Sequence, residues 1–302
     1  MNFLFPPFIS RHAGDVELSA TEVRHAVRIA LAEDIGRGDV TTLATVPAGA
    51  VARATLRARE PMVVAGLDFA ETAFREAARS RASSLRIQRR ARDGQSVERG
   101  AILLKLAGPA RALLTAERVA LNFVQRLSGV ATLTARFVAA VRGTKALILD
   151  TRKTTPGWRR FEKYAVRCGG ATNHRFGLFD LVLIKDNHLA ALRHAPPNAI
   201  AAAVRRARAA APRLQIEVEA DTLEQVAQAA DAGADIILLD NMQLARLRQA
   251  VRLVRHRART EASGGVNLAT VRAIARTGVD FISVGALTHS APAVDIGLDF
   301  EE

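Results

Sequence analysis

Ile236-Ile237-Leu238-Leu239-Asp240 is an apolar run closed by a carboxylate, and the same pattern recurs along the second half of the chain. Similar runs lie at 146–149, 181–184, 216–218 and 281–284, with a weaker one at 261–266, and each gives way to a helix-like segment. Short apolar runs alternating with helices predict buried parallel strands. Alternation alone suits an open sheet as well as a barrel. The closing residues favour a barrel: Asp150, Lys185, Glu219, Asp240, Ser263 and Gly285 fall at or just after successive strand ends, the rim where barrel enzymes assemble their sites.

That rim is rich in cations. Arg152, Lys153, His174, Arg175 and Lys185 converge on it, and packed positive charge is costly unless anions bind there or nearby carboxylates such as Asp150, Asp186 and Glu219 compensate it. Lysine is scarce in this chain: of 43 Lys and Arg only Lys105, Lys145, Lys153, Lys163 and Lys185 are lysines, and two of these sit in the cluster. A compact ammonium and a planar guanidinium fork serve anions differently, so the retained lysines point to point-charge roles. Two glycine loops, Ser263-Gly264-Gly265 and Ser283-Val284-Gly285, follow the last two runs, where barrels commonly grip phosphate; a lone Gly-Gly is otherwise an ordinary turn. Glu219 and Asp240 are hard oxygen donors suited to Mg²⁺, to sugar hydroxyls, to a developing positive charge, or simply to capping helices.

Composition narrows the classes. A hydrophobic share of 49% with 24% charged residues is that of a globular protein. The formal charge of +13 invites a nucleic-acid reading, but the excess is spread along helix-like segments, and 5% aromatic residues leave little for base stacking. Cys168 is the only cysteine, which excludes an internal disulfide and fits a reducing compartment. Residues 1–15 show no basic stretch ahead of their short apolar run, and no apolar run is long enough to cross a bilayer, so the expected location is the cytoplasm.

The first part reads as α+β. A helix is expected behind Ser19, ended by Gly36; strands at 50–59 and 63–65; a helix at 67–79; and a hairpin-like stretch at 86–108 broken by Asp93-Gly94 and Arg99-Gly100. Thr115 is placed to cap a helix with Val119, Phe123, Val124 and Leu127 on its apolar stripe and Arg118 heading its polar row.

Several blocks together resemble the quinolinate phosphoribosyltransferase family, the carboxylating nicotinate-nucleotide pyrophosphorylases: 26–42, Leu121-Asn122-Phe123, Leu127-Ser128-Gly129, 150–157, 163–170, Asn173-His174-Arg175, 184–188, 261–267 and 284–290. The likeness spans nearly the whole chain. It implies an α/β fold, with an incomplete (β/α) barrel over 118–289 and an N-terminal α+β sandwich domain over 1–117 that the tail 290–302 joins. It also implies a homodimer with shared sites, Mg²⁺ as cofactor, and transfer of phosphoribose from phosphoribosyl pyrophosphate to quinolinate with decarboxylation, in NAD synthesis. By resemblance Arg152, His174, Arg175 and Lys185 hold the quinolinate carboxylates, with Arg118 from the neighbouring chain. Lys153 faces the diphosphate, Glu219 and Asp240 face ribose and Mg²⁺, and Ser263, Gly264, Gly265, Gly285, Ala286 and His289 hold the 5-phosphate; Lys153, Lys185, Glu219 and Asp240 are the expected catalytic residues. Ala171 departs from the family's frequent third glycine after Gly169-Gly170, which bears on local loop flexibility. A nicotinate-using transferase, a molybdenum-locus relative and a basic nucleic-acid binder are the rival readings.

Overall fold

The structure, a computed structural model, describes residues 17–79 and 85–301, so the reading of residues 1–15 lies outside it. Packing divides the described chain into two compact units, one of 17–135 with 160–170 and 291–301, the other of 136–159 with 171–290. The boundary expected at 117/118 falls inside a helix of 31 residues.

In the first unit, α1 (Ala20–Ile35) starts at Ser19, whose hydroxyl accepts the Glu22 N–H while the Glu22 carboxylate accepts the Ser19 N–H. This reciprocal cap satisfies donors the first turn would leave open, and Val23, Val27 and Leu31 form the buried stripe. There follow α2 (Val40–Thr45), β1 (Val51–Ala58), β2 (Met62–Val63), α3 (Leu67–Ala77), β3 (Arg86–Arg89), β4 (Ser96–Val97) and β5 (Ile102–Pro109). Strands β3 and β5 pair antiparallel, as the hairpin-like reading expects, but β4 between them turns away to pair with β2. Asp93, read only as a turn residue, caps α3: its carboxylate accepts the Gly66 and Leu67 N–H groups at 2.7 and 3.2 Å and the Tyr164 hydroxyl at 2.8 Å. Helix α4 (Ala110–Ala140) starts five residues before Thr115, directly from β5. Pro109 has no N–H for a continuing ladder, so it ends the strand and enters the helix. Thr115 is therefore inside α4, and its hydroxyl donates to Asp39 Oδ2 at 2.9 Å.

The second unit carries β6 (Leu147–Leu149), β7 (Val182–Ile184), α6 (Asp186–Ala190), α7 (Ala199–Ala210), β8 (Ile216–Ala220), α8 (Leu223–Asp231), β9 (Ile236–Asp240), α9 (Leu244–Val254), β10 (Arg259–Ser263), α10 (Val271–Ala275), β11 (Phe281–Ser283) and α11 (Ala286–His289). Between β6 and β7, α5 (Arg159–Cys168) belongs almost entirely to the first unit. The six strands form one parallel sheet in the order β6-β11-β10-β9-β8-β7, and the described β6 and β7 do not pair with each other, which leaves an incomplete barrel.

Every expected run is a strand here; the weak one lies two residues earlier than its sequence position because Gly264 and Gly265, both with positive φ, end it. Parallel register and the two-residue side-chain period fix which residues share a face. Leu183, Glu217, Ile236 and Arg259 form one row, and Glu219, Leu238, Glu261, Phe281 and Leu147 the next.

The tail returns as β12 (Ile296–Phe300), antiparallel to β1, giving a sheet of order β12-β1-β5-β3. Where it approaches α4 there is no room for a side chain: a Cβ at Gly129 would lie 2.0 Å from the Pro292 carbonyl oxygen. Gly129→Ala is expected to destabilise the protein by about 1–3 kcal/mol through this overpacking, read as a lower urea midpoint.

Candidate active site

Asp150, fully buried after β6, organises the loop that carries most of the cations. Its Oδ1 accepts the His174 backbone N–H at 2.8 Å and its Oδ2 the Asn173 side-chain amide at 2.7 Å. The carboxylate thus holds the loop that carries Asn173, His174 and Arg175. Arg175, buried at 7% exposure, donates Nη1 to the Leu181 carbonyl at 3.2 Å. Burial, and then the charge of Arg152, lower its pKa from the ordinary arginine value. Arg152 Nε is itself buried without a hydrogen-bond partner. Two crowded guanidinium groups with an unmet donor are suited to a planar carboxylate, which offers paired acceptors and opposite charge.

His174 sits among acids. Its Nδ1 accepts the Arg175 N–H at 2.7 Å, so in this arrangement a neutral ring carries its proton on Nε2. Nε2 lies 3.1 Å from Glu217 Oε2 and 3.6 Å from Glu261 Oε2, and both carboxyls are fully buried. Nδ1 is thus engaged within the loop, and Nε2 faces the two buried acids.

Farther around the rim, Lys185 Nζ and Glu219 Oε2 are 2.9 Å apart, which realises one of the alternative ion pairs. Asp186 instead accepts the Asn187 N–H. Asp240 Oδ2 accepts the Asn241 side-chain amide at 2.7 Å, while the Asn241 N–H donates to the Ser263 carbonyl at 2.9 Å. That crossing strand-end contact explains Gly264: its φ is +94° and a Cβ would lie 2.0 Å from Asn241 Oδ1. The Thr288 hydroxyl donates to the Lys153 carbonyl at 2.7 Å, and a Cβ at Gly285 would approach both the Lys153 side chain and His289 Nε2 at 3.1 Å.

Arg152, Lys153, His174, Arg175, Lys185 and Glu219 line one cavity of about 940 Å³. Every site residue expected from sequence contributes to it except Arg118, which is exposed on α4 and absent from the lining. Two groups escaped the sequence reading, Glu217 and Glu261. The signal was available: each lies two residues before a strand-end residue, Glu219 or Ser263, and therefore points the same way into the barrel.

Residues 39–128 match the family "Quinolinate phosphoribosyl transferase, N-terminal domain" and residues 130–299 its C-terminal domain. The chain is 47% identical over 289 residues to a nicotinate-nucleotide pyrophosphorylase [carboxylating] of Mycobacterium leprae, covering 94% of this chain and 99% of that protein. It is 41% identical over 296 residues to the chloroplastic enzyme of that name from Oryza sativa subsp. japonica, covering 93% and 78%. The solved nicotinate-nucleotide pyrophosphorylase of Francisella tularensis superposes with a TM-score of 0.87 at 40% identity, covering 95% of this chain and 99% of that one.

Asp150→Ala leaves the His174 N–H and the Asn173 amide without their buried acceptor, and is expected to cost at least about 2 kcal/mol in denaturant unfolding.

Proposed function

The chain belongs to the quinolinate phosphoribosyltransferase family, and from that membership we infer that it transfers phosphoribose from phosphoribosyl pyrophosphate to the ring nitrogen of quinolinate. Pyrophosphate and CO₂ leave and nicotinate mononucleotide forms, a step of NAD synthesis. The observation that carries this reading is the guanidinium pair of the buried Arg175 and the half-buried Arg152, whose Nε lacks a partner, in the same cavity as two glycine loops. One end suits a dicarboxylate and the other a phosphate.

Arg152, Arg175 and Lys185 are assigned to the two carboxylates, with His174 acting through the position of its loop because its ring nitrogens face protein groups. The backbone of Gly264, Gly265, Gly285 and Ala286, with Ser263 and His289, is assigned to the 5-phosphate, and Lys153 to the diphosphate. As the bond from ribose C1′ to pyrophosphate breaks, positive charge grows on the sugar, and Glu219 and Asp240 are assigned to stabilise it. Their hard oxygen donors also fit Mg²⁺, since Lys185 and Asn241 each engage only one oxygen of the respective carboxylate. Bound there, the ion would offset charge on the leaving group. Nitrogen attack leaves a quaternary ring. The bond from C2 to its carboxylate then breaks, the electron pair remains on C2 beside the cationic nitrogen, CO₂ departs and C2 takes up a proton. No side-chain nucleophile is needed: burial pushes the Cys168 thiol up to about 12, so it stays protonated near neutrality.

We place the enzyme in the cytoplasm as a homodimer in which Arg118 completes the partner's cavity. Among the described residues no helix is long and apolar enough to cross a membrane.

Purified protein with quinolinate, phosphoribosyl pyrophosphate and Mg²⁺ should release CO₂ and form the mononucleotide, while nicotinate should turn over poorly because part of the cation cluster would stay unpaired. Comparable turnover of nicotinate would favour the nicotinate-using reading; no product from either would remove both. Arg175→Ala should weaken quinolinate binding at least about tenfold by calorimetry, the scale of one lost charge-assisted contact.

Arg118→Ala and Lys185→Ala homodimers should each be inactive. Mixed into hybrid dimers they should regain up to about half the wild-type activity per dimer, since two-fold symmetry leaves one site intact. A verified hybrid with no recovery would remove Arg118 from a partner's site.

A further inference from the structure

Arg159 is the first residue of α5, a place that works against the helix. The N-terminus of a helix carries partial positive charge, so a cation in the first turn is unfavourable. Its contacts supply another reason for it. The half-buried guanidinium is engaged at two points: Nε donates to the Thr154 hydroxyl at 3.1 Å and Nη1 to the Phe176 carbonyl at 2.9 Å. Both partners are neutral groups, and each belongs to a segment that carries a cation of the pocket. Thr154 lies two residues after Arg152, and Phe176 directly follows Arg175.

The contact is passed on at both ends. The Thr154 hydroxyl and N–H donate in turn to the Arg152 carbonyl at 3.4 and 2.9 Å. On the other side the Phe176 N–H donates to the buried Asp180 carboxylate at 2.7 Å, and Arg175 Nη1 reaches the Leu181 carbonyl at 3.2 Å. One side chain thus joins the segment bearing Arg152 to the segment bearing Arg175. Such a joint answers a force. Burial first and the Arg152 charge second lower the Arg175 pKa, so the two guanidinium groups are near neighbours of like charge. Their repulsion pushes the two segments apart, whereas a rigid dicarboxylate binds best to cations already held at a fixed spacing.

Thr154, Arg159 and Phe176 do not line the cavity, so their effect on a ligand is indirect. We propose that Arg159 is a positioning residue for the dicarboxylate: bonded to Thr154 and Phe176 outside the cavity lining, it holds Arg152 and Arg175 at the spacing the ligand requires. The inference rests on the quinolinate reading above and adds to it a residue that does not touch the ligand. Lys153, on the same loop as Arg152, has its own anchor in the Thr288 hydroxyl at 2.7 Å, and the glycine loops follow β10 and β11. Loss of Arg159 should therefore fall on the dicarboxylate and spare the phosphoribosyl donor.

The test makes two measurements on variants of the intact protein. By calorimetry Arg159→Met should bind quinolinate roughly tenfold more weakly, the scale of one charge-assisted contact put out of reach. With quinolinate saturating, its KM for phosphoribosyl pyrophosphate with Mg²⁺ should stay within about threefold of the wild-type value, because concentration overcomes the weakened binding of the other substrate. Arg159→Lys keeps the charge but replaces the planar fork with one compact donor group that cannot bridge both partners, so it should resemble Arg159→Met. Thr154→Val removes only the hydroxyl at one end of the joint and should weaken quinolinate binding with the same selectivity; should Arg159→Met fail to fold, this variant decides. Unchanged quinolinate affinity in Arg159→Met or Thr154→Val, or wild-type affinity in Arg159→Lys, would overturn the proposal. So would a KM for the phosphoribosyl donor that rises in parallel, the mark of a general structural role. Wild-type protein that fails to bind quinolinate would instead remove the substrate reading itself.

Discussion

The buried Asp150 carboxylate is the contact on which the site depends. By accepting one backbone N–H and one side-chain amide, it fixes Asn173 and His174 against the end of β6. Arg175 follows directly, and its own N–H closes onto His174 Nδ1. One acidic side chain thereby sets the position of two basic ones.

Much of this was legible in the sequence, and the reason is periodicity. Apolar runs closed by Asp150, Lys185, Glu219, Asp240, Ser263 and Gly285 locate the strand ends, because a parallel strand must be apolar on both faces until it reaches solvent. The helix cap at Ser19 is similarly local, though the reciprocal part of Glu22 appears only in the structure. What could not be read was non-local or hidden by an ordinary local explanation. Asp93 looks like a turn residue beside Gly94, and only the folded chain brings the Gly66 N–H groups and the Tyr164 hydroxyl to it. Thr115 looks like a helix cap, yet the helix is already under way and the hydroxyl serves Asp39. Gly264 looks like half of a turn until Asn241 is seen to occupy the space of its missing side chain.

Glu217 and Glu261 are a different kind of miss. Acidic residues inside strands contradict the expectation that interiors are apolar, so a reading that counts apolar runs passes over them. Such conflicts between local preference and global position gather at sites where function rather than stability selects the residue. Here the barrel tolerates two buried acids where leucines would pack with less penalty, beside the cation cluster.

The connectivity of the first unit carries its own consequence. Its sheet receives β12 from residues 296–300, and its helical layer includes α5 from a segment inserted between β6 and β7. During synthesis the N-terminal strands β1 and β5 therefore emerge long before the strand that covers the free side of β1. Until that strand arrives, β1 presents an unpaired edge, the kind of surface through which nascent chains associate wrongly. A ribosome moving from one end to the other thus cannot release this unit as a finished fold ahead of the barrel; the two must mature together.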